Sequence, residues 1–511
     1  MEGCRADEVL ATSSQQNIPL GGTRVQPKNL LFILSDEHQR DITGCYGNGL
    51  VKTPHMDRLA ARGVRFTNAY TPCPICVPAR ASLATGRWVH QVGAWDNAAP
   101  WHGETPSWHS RLRDAGHEVT SIGKLHFRST DDDNGFTEEI LPLHVLDGKG
   151  DLIGAIREPP PKRGSMPAFR KSAGAGTSSY NNYDVDVTAA ACRWLAQAKE
   201  RAGDKPWTLF VSLVRPHFPL TAPPEFFALY DPAKMPLPRL YDDAGRVRHP
   251  AMRALRSIMD YDDYFEDLDA VRLAIASYYA LVSFLDDNVG KILAALDKAG
   301  LTDSTRVIYT SDHGENLGCR GLWGKSVMYD ESVAIPFIVA GPDIAQGKVV
   351  DTPISLVDCH RSIMEAVGCP VPAEDESLPS RSIWAIAEGE RPDRCVLSEY
   401  HAAASVTGTF MIRHGRWKYI HHVGFRPELF DLESDPGEAT DLAERPDMAP
   451  VLAECEARLR AICDPDAVNA KAFADQRALI ARYGGREAII ARGDYSYTPA
   501  PGEKPVLVVS A

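Results

Sequence analysis

Residues Asn29-Leu30-Leu31-Phe32-Ile33-Leu34-Ser35-Asp36-Glu37 decide the fold class. The apolar run is continuous rather than alternating, the pattern of a strand buried on both faces in a parallel sheet covered by helices. It ends in two carboxylates, and ligands of open α/β sheets collect beyond the carboxyl ends of the strands. The pattern recurs twice. Trp207–Leu213 runs into Arg215-Pro216-His217, and Arg306–Ser311 runs into Asp312-His313-Gly314. Three strands thus deliver polar groups to one edge.

Between the strands the period changes. Ala276 to Leu285 continues through Ile292, Leu293 and Leu296 with helical spacing, and Gly300 is the expected C-terminal stop. Strands alternating with helices imply a doubly wound α/β layer structure with a mixed sheet. After about residue 385 the character shifts to short pieces separated by turns such as His414-Gly415: Phe410–Arg413, Trp417–Ile420 and Glu428–Leu432. These predict a small antiparallel sheet. The expected organisation is a flexible tail over residues 1–27, a catalytic α/β domain over 28–385, a small β domain over 386–465 and a helical then extended tail over 466–511.

A chain of 511 residues is too long for one small core, in keeping with a large domain plus a companion. The formal net charge of -13 argues against a sequence-independent nucleic-acid binder, which needs a basic stripe to meet phosphates. The N-terminus has no apolar core of signal-peptide length, and no run reaches the ~18 apolar residues that span a bilayer. Eleven cysteines without regular spacing do not form a disulfide framework. The expectation is a soluble, cytoplasmic protein.

The chemistry concentrates in Thr71–Arg87, TPCPICVPARASLATGR, with Cys76-Val77-Pro78-Ala79-Arg80 ahead of Thr85-Gly86-Arg87. Cys73 and Cys76 also form a C-x-x-C, open to reading as half a zinc site or a redox pair. A zinc site would want a second ligand pair downstream, and none appears. A redox pair ordinarily opens a helix in a much smaller thioredoxin-like unit. Elsewhere, Asp36, Glu37 and Asp312-His313 together offer carboxylates and an imidazole, an oxygen-rich set suited to a hard divalent cation such as calcium. Lys124 and His126, in Gly123-Lys124-Leu125-His126, read alone as a snorkelling lysine and a structural histidine. His217, in Arg215-Pro216-His217-Phe218-Pro219, reads alone as a histidine fixed in a proline-rich turn.

Taken together, these segments resemble the type I sulfatases. The C-x-P-x-R core with its Thr-Gly-Arg tail resembles the signature whose cysteine is oxidised after synthesis to formylglycine (3-oxoalanine). The resemblance implies that Cys76 becomes the nucleophile, that Arg80 holds it, and that a formylglycine-generating enzyme acts during maturation. Gly123–His126 resembles the family's G-K-x-H element, which implies Lys124 on the sulfate and His126 taking a proton as sulfate leaves. The P-H-x-P segment implies His217 as proton donor to the departing alcohol, and Lys325 stands where the family keeps its second substrate lysine. The implied metal ligands are Asp36, Glu37, Asp312, His313 and an oxygen of modified Cys76, with calcium first and manganese second. Glu37 departs from the more usual second Asp.

The branch that this chain most resembles is the choline-sulfatase one. Gly93-Ala94-Trp95-Asp96-Asn97-Ala98-Ala99 looks like its G-x-x-D-N-A-A segment, implying that Asn97 hydrogen-bonds the sulfate. Ser311–Gly318, Arg320–Trp323, Ser398–His401 and Phe410–Arg413 look like it too. The resemblance runs from Asn29 to about residue 445 and implies the alkaline-phosphatase-like fold, sulfate-ester hydrolysis and a bound divalent metal. The alcohol stays open. A quaternary ammonium is held by aromatic faces, and the hundred residues after Lys124 hold only Trp194 and Trp207, neither at an evident cage position. The expected substrate is a small organic sulfate monoester. Two alternatives are a phosphonate monoester or phosphodiester hydrolase using the same site, and a non-catalytic binding protein whose Cys76 is never oxidised. The C-terminal tail of more than forty residues is long enough to wrap a neighbouring subunit in a homo-oligomer.

Overall fold

The computed structural model describes residues 26–201, 203–242, 246 and 249–508. Of the tail expected over residues 1–27, residues 1–25 lie outside the described ones.

The apolar run forms β1 (Asn29–Asp36) at the heart of an eight-stranded sheet. The other strands are β2 (Gly63–Phe66), β3 (Val119–Lys124), β4 (Glu138–Leu143), β5 (Thr208–Pro216), β6 (Thr305–Ser311), β7 (Phe337–Ala340) and β8 (Lys348–Val350), in the order β8-β2-β7-β6-β1-β5-β3-β4. β1 pairs in parallel with β5 and β6, so that Leu31 lies between Leu209 and Val307. β7 runs antiparallel to both of its neighbours, which makes the sheet mixed.

Both faces of β1 are apolar because both are covered. Leu30, Phe32 and Leu34 pack with Ala81, Leu83 and Ala84 of α1 (Cys76–Thr85) and with Ile363 and Met364 of α4 (Asp358–Val367). Leu31 and Ile33 pack with Val187, Trp194 and Leu195 of α2 (Ser179–Arg201) and with Leu285, Val289 and Ile292 of α3 (Leu268–Lys298). The period-2 alternation of side chains sends each set to its own layer of helices.

α3 begins well before the expected start at Ala276, capped by Asp267, whose carboxylate accepts from the Ala270 N–H at 2.8 Å. Its composition and length would let it cross a membrane, but 78% of its apolar window is buried inside the protein. It is the core helix of the second layer.

A separate four-stranded antiparallel sheet follows: β9 (Val396–Tyr400), β10 (Thr409–His414), β11 (Trp417–His422) and β12 (Glu428–Asp431). The three expected strands are present, and β9, built from residues quoted only for their family resemblance, adds a fourth. Helices α5 (Ala449–Ile462) and α6 (Pro465–Arg482) come next, then a short helix and an extended segment. That final segment folds back against this chain's own α/β body.

Buried Glu399 of β9 clamps the small sheet to the turn after α1. One of its oxygens accepts from the His90 backbone N–H at 3.0 Å and meets His90 Nδ1 at 2.8 Å, while the other meets His401 Nε2 at 3.2 Å. Burial opposes its charge, but His90 and His401 hold its carboxyl down at about 2 against an ordinary 4.5. Because the folded value is the lower one, this stabilisation is present above pH 4.5 and is lost as pH falls toward 2. Glu399→Gln is expected to lower neutral-pH stability by about 1–3 kcal/mol. In unfolding titrations the gap to wild type should close over that acid window. A gap that persists unchanged into acid would mean that the carboxylate charge does not secure the clamp.

Candidate active site

The residues expected to act are carried by the carboxyl ends of β1, β3, β5 and β6 and by the N-terminus of α1. Asp36 ends β1, Lys124 ends β3, His217 follows β5 and Asp312 follows β6. Cys76 is the first residue of α1, whose ten residues are all buried. Pro78 is tolerated there because the first turn of a helix has no intrahelical partner for its N–H. Small residues (Ala79, Ala81, Ser82, Ala84) let the helix lie close to the sheet. Gly86 stops it in the left-handed region at φ 68, where a Cβ would come within 2.8 Å of His360.

Arg80, one turn into α1, is 2% exposed and reaches three strand ends. Its Nε donates to Asp312 Oδ2 at 2.8 Å, and Nη1 donates to the Lys124 carbonyl at 2.8 Å and to Ser212 Oγ at 2.9 Å. Asp36 Oδ2 lies 3.8 Å from Nη2 and also takes the Lys124 ammonium. Burial works against ionised Asp36, yet Lys124, His217, Arg80 and His313 hold its carboxyl well below the usual range.

Around Cys76 Sγ stand His313 Nε2 at 3.3 Å and Asp36 Oδ1 at 3.7 Å. His313 Nδ1 faces the Gly314 carbonyl at 3.1 Å, which turns Nε2 toward Cys76. Asp312 Oδ1 accepts from the backbone N–H groups of Glu37 and His313 at 3.2 and 3.0 Å. Glu37 sits at φ 67, a turned-back backbone for a non-glycine residue. Its Oε2 accepts from Lys325 Nζ at 2.7 Å and lies 3.3 Å from His217 Nε2, while buried Oε1 has no partner. Burial pushes the Glu37 carboxyl well above its usual value, with Glu315 adding to the rise and Lys325 opposing it.

Asn97 Oδ1 accepts from the Val77 N–H at 3.2 Å, which fixes the amide so that its NH2 remains to donate into the pocket that Asn97 lines. His126, at φ 56, is 4% exposed and neither ring nitrogen has a partner among the described residues. Burial, with Lys124 and Arg80 nearby, holds it well below the usual histidine range. His217 Nδ1 meets the Phe218 carbonyl at 2.6 Å. All the expected positions, Asp36, Glu37, Cys76, Arg80, Asn97, Lys124, His126, His217, Asp312, His313 and Lys325, therefore fall in one constellation. Trp194 and Trp207 instead pack edge to face in the core at 5.0 Å.

Several residues at the site have no sequence signal of their own. Ser212 lies inside β5 and is visible only through Arg80. Glu315 Oε1 accepts from the Leu317 and Gly324 N–H groups at 2.9 and 2.6 Å and so shapes the loop that carries Lys325. Asp184 of α2 accepts from the Val214 and Arg215 N–H groups at 2.8 and 2.9 Å and extends β5 beyond its expected end toward His217. Tyr180, Arg163 and the segment Tyr495–Thr498 also line the pocket. Two tyrosines in a Pro- and Gly-rich tail are the one cue to that segment.

The chain matches the family model described as Sulfatase over residues 28–369, and over residues 318–464 the one described as N-sulphoglucosamine sulphohydrolase, C-terminal. It is 31% identical over 438 residues to a choline-sulfatase of Rhizobium meliloti (strain 1021), covering 82% of this chain and 83% of that one. A protein solved with its substrate D-glucosamine-2-N,6-O-disulfate superposes with a TM-score of 0.69 at 23% identity, covering 88% of this chain and 99% of that one. The phosphonate monoester hydrolase of Agrobacterium radiobacter superposes with a TM-score of 0.67 at 23% identity, covering 87% and 96%. At those identities the two structures speak for the shared fold. The extent of the family match and of the choline-sulfatase likeness goes further: this chain belongs to the sulfatase family and is a sulfuric ester hydrolase.

Proposed function

We propose that the protein hydrolyses a small organic sulfate monoester to alcohol and inorganic sulfate, using formylglycine made from Cys76. The observation that carries this is the placement of Cys76, buried at the start of α1 with His313 Nε2 and Asp36 Oδ1 around its sulfur. Burial, with Asp36 beside it, pushes the thiol up to about 12. At neutral pH it is a protonated thiol, a poor nucleophile, in the middle of a polar constellation. A C-x-P-x-R cysteine in that position makes sense as the precursor of a different reagent. The hydrated aldehyde supplies two hydroxyls on one carbon, one to attack sulfur and one to release the sulfate.

The chain's own residues divide the remaining work. Arg80 fixes the first turn of α1 against Asp312 and the β3 and β5 ends. Lys124, Lys325 and the Asn97 amide hold the sulfate oxygens, a cationic and hydrogen-bonding cradle for charge that grows in the transition state. His217 gives a proton to the departing alcohol oxygen, and His126 takes one as sulfate leaves.

Asp36, Glu37, Asp312 and His313, with an oxygen of modified Cys76, fit a hard divalent cation, calcium ahead of manganese. The set is oxygen-rich, and Glu37 Oε1 is a buried carboxylate oxygen without a partner. Bound there, the cation would neutralise charge on a sulfate oxygen and on the attacking oxygen. A formylglycine-generating enzyme is the partner required in maturation.

Expressed with such an enzyme, the Cys76 peptide should show the thiol-to-aldehyde mass change, and activity should track the modified fraction. Equal activity from fully unmodified protein would rule out the aldehyde. Comparing kcat/KM on aryl sulfate and aryl phosphonate esters decides the substrate class, with sulfate expected to lead.

Asp312→Ala should lose both bound metal, measured by elemental analysis, and turnover, because it removes a ligand and the partner of Arg80. Wild-type metal content in that variant would take Asp312 out of the site.

His217→Ala should slow alkyl sulfates with poor leaving groups by about 100- to 10,000-fold and activated aryl sulfates far less. His126→Ala should slow the step after the alcohol departs, giving a pre-steady-state burst of alcohol with activated esters. Equal losses across leaving groups for His217→Ala would overturn its assignment, and a burst in that variant would reverse the two roles.

A further inference from the structure

One wall of the pocket takes no part in that chemistry. That wall is Tyr495–Thr498 of the C-terminal segment, more than 270 residues from His217 in sequence. We propose that this segment is the leaving-group wall, that Tyr495 and Tyr497 are specificity-determining residues, and that together they restrict the site to compact alcohols lacking a second anionic group. The proposal rests on sulfate-ester hydrolysis at this site.

Three sets of contacts hold the wall in place. Arg163 Nε donates to Asp494 Oδ1 at 2.9 Å and its Nη1 donates to Asp151 Oδ2 at 2.8 Å, while Asp494 Oδ2 accepts from the Ser165 N–H at 3.0 Å. The Asp151 N–H in turn donates to the Asn97 carbonyl at 3.1 Å, so the clamp continues into the loop that carries the sulfate-binding amide. On the other side Tyr180 donates its hydroxyl to the Thr498 carbonyl at 2.6 Å. Tyr497 then packs edge-on against Tyr180 at 5.0 Å and Phe218 at 6.2 Å. Phe218 is the residue whose carbonyl holds His217 Nδ1. Tyr497 therefore packs against the residue that orients the group assigned to protonate the departing alcohol.

Charge and size define what fits. Among the described lining residues the cations are Lys325, assigned to the sulfate, and Arg163, which is already shared by two carboxylates. A carboxylate or second sulfate on the alcohol would find no free cation there and would face Asp151, with Asp494 close behind. The cavity measures about 100 Å3, small for a ligand site, which suits a compact alcohol. Tyr495, Tyr497, Tyr180, Phe218, Met166 and Met259 give it aromatic and thioether faces.

The test measures kcat and KM for wild type, Tyr495→Ala, Tyr497→Ala and Tyr497→Phe on three esters: a short alkyl sulfate, an aryl sulfate and a sulfated uronic acid. The wild type should prefer the two uncharged alcohols over the uronic acid by at least ten-fold in kcat/KM. Each alanine variant should raise KM for the compact esters by roughly five- to ten-fold, the worth of a lost aromatic contact. Its kcat should fall by less than its KM rises, and Tyr497→Phe, which keeps the ring, should stay near wild type. A wild type that takes the uronic acid ester as readily as the others overturns the proposal. So do alanine variants whose KM values stay within two-fold of wild type, or that lose kcat alone, the signature of a merely structural wall. Absence of all sulfate-ester turnover by Cys76-modified wild type would overturn the reaction reading instead. The same KM comparison on aryl phosphonates would then decide the wall.

Discussion

The Arg80 guanidinium is the contact on which the site's geometry depends. From α1 this single side chain touches the β3 carbonyl at Lys124, Ser212 of β5 and the carboxylate after β6. Taking such a charge out of water costs several kcal/mol, and the neighbouring carboxylates must offset it. Burial disfavours the charged form, but Asp312 and Asp36 keep Arg80 protonated above its ordinary value. A lysine could hold one of these partners; the planar fork of donors holds three at fixed angles. One residue thereby ties the helix carrying Cys76 to the strand ends that carry Lys124 and Asp312.

Charge balance extends from there. Asp36, Glu37 and Asp312, all buried, face Arg80, Lys124 and Lys325. Two adjacent carboxyls, Asp36 and Glu37, are driven in opposite directions, the first well below its usual range and the second well above. The difference comes from company. Asp36 is surrounded by cations, whereas Glu37 has Lys325 on one oxygen, no partner on the other and Glu315 behind it. A dication adds two positive charges to this set and a sulfate monoester anion removes one, so the pair changes its net charge less than the dication alone. The lysines stand on the carboxylates, Lys124 on Asp36 and Lys325 on Glu37.

Much of this is legible in the amino-acid sequence alone. β1 declares itself by an apolar run that only double burial explains, and Asp36, His217 and Asp312 follow because they sit where such strands end. Cys76, Arg80, Lys124, His126, Asn97 and Lys325 are legible for a different reason, the spacing of short family-like segments. What stays hidden has a physical cause. Ser212, Asp184 and Glu315 serve other residues of the site, so their identity means nothing until the fold sets Arg80, the β5 terminus and the Lys325 loop beside them. Asp494–Thr498 is hidden by distance, because nothing in a chain's local pattern shows which body its last segment folds against. Trp194 and Trp207 belong to the core, whereas the tyrosines that line the pocket are Tyr180 and Tyr261 from mid-chain and Tyr495 and Tyr497 from its far end.

Backbone conformation links the fold to the chemistry. Glu37 and His126 both follow strands whose directions carry the chain out of the sheet, and both adopt positive φ, 67 and 56. Neither residue reaches that region without cost, of order 1–3 kcal/mol each. In each case the turn brings a side chain back over the sheet edge. Had the chain continued extended, Glu37 would have pointed away from Asp312, whose Oδ1 now accepts its N–H at 3.2 Å. His126 follows Lys124 by two residues, yet both line one site because the strand ends at Lys124 and the backbone reverses immediately. Gly123, at φ 105, prepares that reversal at a point where a Cβ would come within 2.2 Å of the Ser212 carbonyl. The dense packing around β1, β3 and β5 is what holds these conformations, so the core and the site are one energetic problem: the buried layers supply the stabilisation that keeps two polar residues turned inward.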